Sequence, residues 1–116
     1  MNQGVKTIIY PVKDAAQAKK LFSALLGVEP YADQPYYIGY KVAGQDIGLD
    51  PNGHTSGMTG PIPYFHVDDI KKSLQGLLDA GATVQQEVKD VGGGRLIAWA
   101  RDVDGNPVGL IEDTKK

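Results

Sequence analysis

Two histidines and no cysteine limit the chemistry open to these 116 residues. Without a thiol there is no disulfide framework, thiolate zinc site, iron–sulfur cluster or cysteine nucleophile. His66 stands in the β-rich run Tyr64-Phe65-His66-Val67. Side chains alternate along a strand, so Ile62, Tyr64 and His66 share one face and Pro63, Phe65 and Val67 the other. An unperturbed imidazole titrates near pH ~6.5, which makes His66 the candidate general base. No paired acid or nucleophile is visible beside it, and the competing reading is a structural histidine hydrogen-bonded against the sheet.

The remaining candidates each carry two readings. His54 lies in Asn52-Gly53-His54-Thr55-Ser56-Gly57, a loop composition that suits binding residues and plain turn residues equally. Asp50, just before Pro51, either accepts a hydrogen bond from a ligand or opens the turn. Trp99, the single tryptophan, offers a flat ring to a planar ligand, or else packs in the core or against another subunit. Tyr31, Tyr36, Tyr37 and Tyr40 suit either a pocket or an interface. Asp90-Val91-Gly92-Gly93-Gly94-Arg95 lacks the Gly-Lys-Ser/Thr ending and the following helix of a phosphate loop. It reads as a flexible hairpin, whose glycines allow a mobile lip with Arg95 reaching an anionic ligand.

The elements that must position these residues are written twice. Ile9-Tyr10-Pro11-Val12-Lys13-Asp14 matches Tyr64-Phe65-His66-Val67-Asp68-Asp69, each a β-rich run closing on Val-x-Asp. Asp14 and Asp69 are placed to N-cap the following helices, whose apolar residues recur at helical spacing as Ala15, Ala18, Leu21, Phe22, Leu25 and Leu26, then as Ile70, Leu74, Leu77 and Leu78. Gly27 and Gly81 close the helices. Three strands follow in each half: Val28 to Ala32, Tyr36 to Val42 and Gln45 to Asp50, then Thr83 to Lys89, Arg95 to Arg101 and Pro107 to Glu112. Ala43-Gly44 and Asp104-Gly105-Asn106 form the turns before the last strands. The expectation is one α+β domain over residues 1–116, with modules of about 5–50 and 61–113.

Two βαβββ modules, Leu-Leu-Gly-Val after the first helix and Asp-x-Asp-Gly-Asn before the last strand together resemble the vicinal oxygen chelate superfamily of glyoxalase I, bleomycin-resistance proteins and extradiol dioxygenases. The resemblance implies a cupped mixed sheet with helices on the outer face, a small-molecule cavity, and often a divalent metal held by two histidines and one or two glutamates. It places those ligands at Thr7 and Ile62, each seven residues before a capping aspartate, and at Gly48 and Gly109 in the last strands. None is a metal ligand, so no family-type metal and no cofactor is expected. Glycine at two of these positions is expected to enlarge the cavity. A rearranged metal site from Asp50, His54, His66 and Glu112 is the lesser alternative.

The leading expectation is therefore a superfamily member that binds a small aromatic or amphipathic molecule in a metal-free cup lined by Tyr64 and His66. A metal-dependent glyoxalase-like lyase or dioxygenase with rearranged ligands is one alternative, and a dimerising interaction module without ligand is another. A net charge of -2 with interspersed signs argues against nucleic acid. No apolar run is long enough to span a membrane, and the Met1–Lys6 segment has no export signal. A cytoplasmic homodimer that covers open sheet edges is expected.

Overall fold

The computed structural model describes residues 2–114. Along the chain these form β1 (Asn2–Pro11), α1 (Ala15–Leu26), β2 (Ala32–Gln34), β3 (Tyr37–Val42), β4 (Gln45–Asp50), β5 (Ile62–Val67), α2 (Ile70–Asp79), β6 (Thr83–Gly92), β7 (Arg95–Arg101) and β8 (Pro107–Asp113). The architecture is α+β. It divides into two compact units, Lys6–Ile62 and residues 63–114 with 2–5.

Both units have the same wiring. In the first the strands run β2-β3-β4-β1, with β1 parallel to β4 and the other pairs antiparallel. In the second they run β6-β7-β8-β5, again with the first strand of the module parallel to its last. A parallel return needs a crossover, and in each unit the helix supplies it.

The helix ends follow from their sequences. Asp14 accepts from the Gln17 backbone N–H at 3.0 Å, and Asp69 from that of Lys72 at 3.1 Å, each covering a donor that the first turn leaves unpaired. Gly27 takes the left-handed conformation (φ 72°) and donates to the Ser23 carbonyl. Gly81 (φ 109°) closes α2 through paired bonds, Gly81 to the Leu78 carbonyl and Ala82 to that of Leu77.

Each helix buries one stripe against one face of its sheet. In the first unit Ala15, Ala18, Phe22 and Leu26 meet Ile38, Tyr40 and Leu49, and the Tyr40 hydroxyl reaches the Lys19 carbonyl at 3.0 Å and Ser23 Oγ at 2.9 Å. In the second Ile70 and Leu74 meet Val67, Ala98, Ala100 and Leu110. Leu21 and Leu25, expected on the buried stripe, are exposed, because only the Ala15–Ala18–Phe22–Leu26 line of α1 faces the strands. The second strand also lies later than expected. It begins at Ala32 rather than Val28, since Pro30 has no N–H to give a ladder, and it stops at Gln34 before Pro35.

Candidate functional site

The chemistry-bearing face of the second unit is the one turned away from α2. On β8 the alternation sends Leu110 to the helix side and Gly109, Ile111 and Asp113 to the other. Pairing then builds rows across the strands: Tyr64, Gly109 and Trp99; next His66, Ile111 and Ile97; and at the end Asp113 opposite Arg95. His66 is 8% exposed, and its Nδ1 lies 3.7 Å from Asp113 Oδ2. That separation is longer than a hydrogen bond. Asp113 is itself fixed by a fork from Arg95, Nε to Oδ1 at 2.8 Å and Nη2 to Oδ2 at 3.1 Å. A cleft of about 220 Å³ opens at the ends of β5 and β8, lined from both faces by Gln3, His66, Val67, Asp68, Glu112 and Asp113 among others, with Gln3 Nε2 donating to Asp68 at 2.8 Å.

The structure brings four of the sequence candidates, Tyr64, His66, Trp99 and Arg95, onto this one face. Tyr64 and Trp99 are buried in their row, and the Arg101 guanidinium stands 5.0 Å from the Trp99 ring, a cation–π distance. Arg95, expected at a mobile lip, is committed to Asp113, and the strands around that hairpin run to Gly92 and resume at Arg95. Counting by twos from Gly109 along β8 gives the face of Asp113, and only the pairing of β5 with β8 sets it near His66.

The other candidates have local tasks. Asp50 accepts from the Asn52 backbone N–H at 2.8 Å and so opens the turn. His54 is exposed within the 51–57 turn. Glu112 lies on the helix side and accepts from the Ile70 backbone N–H at 2.8 Å, filling a second vacancy in the first turn of α2. Among the described residues no group of three or more His, Cys, Asp or Glu is arranged to hold a metal ion.

The four family ligand positions also fail to fit a metal, for a packing reason. Ile9 and Tyr64 each stand five residues before a capping aspartate, and each pairs with a glycine, Ile9 with Gly48 and Tyr64 with Gly109. The two glycines are thus equivalent positions. A Cβ on Gly109 would lie 2.6 Å from Tyr64 Cγ. One on Gly48 would lie 2.5 Å from the Tyr37 hydroxyl and 2.6 Å from Ile9 Cδ1. No carboxylate can be mounted at either place without displacing these side chains. Glycine therefore does not enlarge a cavity, as expected from the sequence; it admits a neighbouring side chain that fills the space. Thr7 and Ile62 are fully buried.

The profile of the Glyoxalase/Bleomycin resistance protein/Dioxygenase superfamily matches residues 4–110, and the chain belongs to that superfamily. Solved structures share its fold at low identity. A superfamily member from Vibrio splendidus is 17% identical with a TM-score of 0.70, over 97% of this chain and 100% of that one. The methylmalonyl-CoA epimerase of Streptomyces coelicolor, in complex with 2-nitronate-propionyl-CoA, is 12% identical with a TM-score of 0.73, over 100% and 99%. The Mn(II)-bound glyoxalase of Novosphingobium aromaticivorans is 18% identical with a TM-score of 0.71, over 100% of this chain but 41% of that one. No curated protein matches significantly.

Proposed function

We propose that this chain binds a small aromatic or amphipathic molecule without a metal, with its polar head in the cleft beside His66. The observation that carries the reading is the ordered line Arg95–Asp113–His66 at that cleft, one row along the strands from Tyr64 and Trp99. A bidentate arginine holds the carboxylate in place beside the imidazole. His66 can then donate to, or take a proton from, an oxygen of the ligand. The filled glycine positions support the metal-free half of the reading, and the complex of the Streptomyces coelicolor epimerase supports organic-ligand binding on this fold.

Trp99 is the single tryptophan and lies one row from His66, so its fluorescence reports the site. Titration with a panel of aryl carboxylates and phenols, with and without EDTA, tests the proposal. A saturable response that is unchanged by EDTA and lost in a folded His66→Ala variant is expected. A response that appears only with added metal, or none across the panel, overturns it.

A further inference from the structure

We propose that Asp46 and Tyr31 form a binding site for a primary ammonium group, and that the chain's own Lys41 occupies it as a tethered stand-in. The Lys41 ammonium touches both: Nζ lies 2.8 Å from Asp46 Oδ1 and 5.0 Å from the centre of the Tyr31 ring. A carboxylate and an aromatic face together are the two surfaces that select an organic cation.

The carboxylate is held by the sheet, whereas the Tyr31 ring is half exposed and the cation is loose. The Asp46 side chain is 12% exposed, set by register between Thr7 of β1 and Lys41 of β3. A buried carboxylate must be paired with a cation to be tolerated. The Tyr31 ring is seated by glycine, since a Cβ on Gly39 would lie 2.9 Å from its Cζ. By contrast the Lys41 side chain is 65% exposed, a flexible stem in water that carries its charge back to the sheet. Such a stem can swing away, and an incoming ammonium can take over both contacts. Beside the pair a cleft of about 250 Å³, lined by residues 41–46, gives room for the body of the ligand. This is below the roughly 300–1,000 Å³ of drug-sized sites, which points to a small amine.

Lys41 then acts as a competitor whose local concentration is on the order of millimolar or above, so the native chain binds amines weakly. The test is calorimetric titration with n-butylammonium, which copies the lysine side chain, and with 1-butanol as the uncharged control. Lys41→Met is expected to bind n-butylammonium at least about tenfold more tightly than the native chain, and its melting midpoint is expected to rise with the amine but not with the alcohol. Adding Asp46→Asn to Lys41→Met is expected to abolish the binding. No binding to Lys41→Met, or equal binding with and without the Asp46 carboxylate, overturns the proposal. Should Lys41→Met fail to fold, Lys41→Gln, which keeps one donor for Asp46, is titrated by the same two criteria.

Discussion

Tyr64 lies over Gly109, with its ring in the space that a side chain at position 109 would need. The two are direct partners across β5 and β8, so the fit is made by register. A position that the superfamily resemblance assigns to a metal-binding carboxylate has become a seat for an aromatic ring.

The fit makes the two residues energetically dependent. Gly109→Ala is expected to cost about 1–3 kcal/mol through overpacking. Tyr64→Ala is expected to cost about 3–5 kcal/mol through the cavity it leaves. Because the new methyl group enters the space the ring vacates, the double variant should lose less than the sum, by about 1 kcal/mol or more. Urea unfolding of the four proteins measures this, and strict additivity would show that the ring does not fill the seat.

Glu112 is expected to act in stability rather than in metal binding. Its carboxylate caps the Ile70 N–H, so Glu112→Ala should lower the unfolding free energy by about 1–2 kcal/mol, while Glu112→Gln, which keeps an acceptor, should lose less. Equal losses for the two variants would assign the effect to something other than the cap.

Acid should loosen the turn before β8. Asp102 holds that turn by accepting from the backbone N–H groups of Asp104 and Asn106 and from the Asn106 side chain. The Asn106 side-chain bond, followed by its backbone bond, holds the Asp102 carboxyl below its ordinary value of 3.8. A depressed carboxyl contributes stability that is fully present above its unfolded value and is lost as the pH falls through the lower folded value. The melting difference between the native chain and Asp102→Ala should therefore be constant near neutrality and narrow below pH 3.8. A difference that persists unchanged in strong acid would remove the carboxylate from the explanation.

Much of this structure could be read from the chain. The doubled Val-x-Asp step, the capping roles of Asp14 and Asp69 and the helix-ending glycines are local signals, and local hydrogen bonds realise them. The five later strand expectations lie within two residues of the observed bounds at their starts. What the chain does not display is how residues meet across strands. Gly109 looks like a lost ligand in one dimension, and only pairing with β5 shows the Tyr64 ring above it. Arg95 looks available until β7 pairs with β8 and sets it opposite Asp113. Glu112 has the residue type of a metal ligand, although alternation along β8 assigns it to the helix side.

The most direct test of the metal-free reading is elemental analysis of untagged protein after incubation with zinc, nickel, iron and manganese and removal of the excess. With rings seated on Gly48 and Gly109, well under one metal per chain is expected for every element tested. About one tightly held metal per chain would contradict that reading and would make a glyoxalase-like or dioxygenase activity the first to assay.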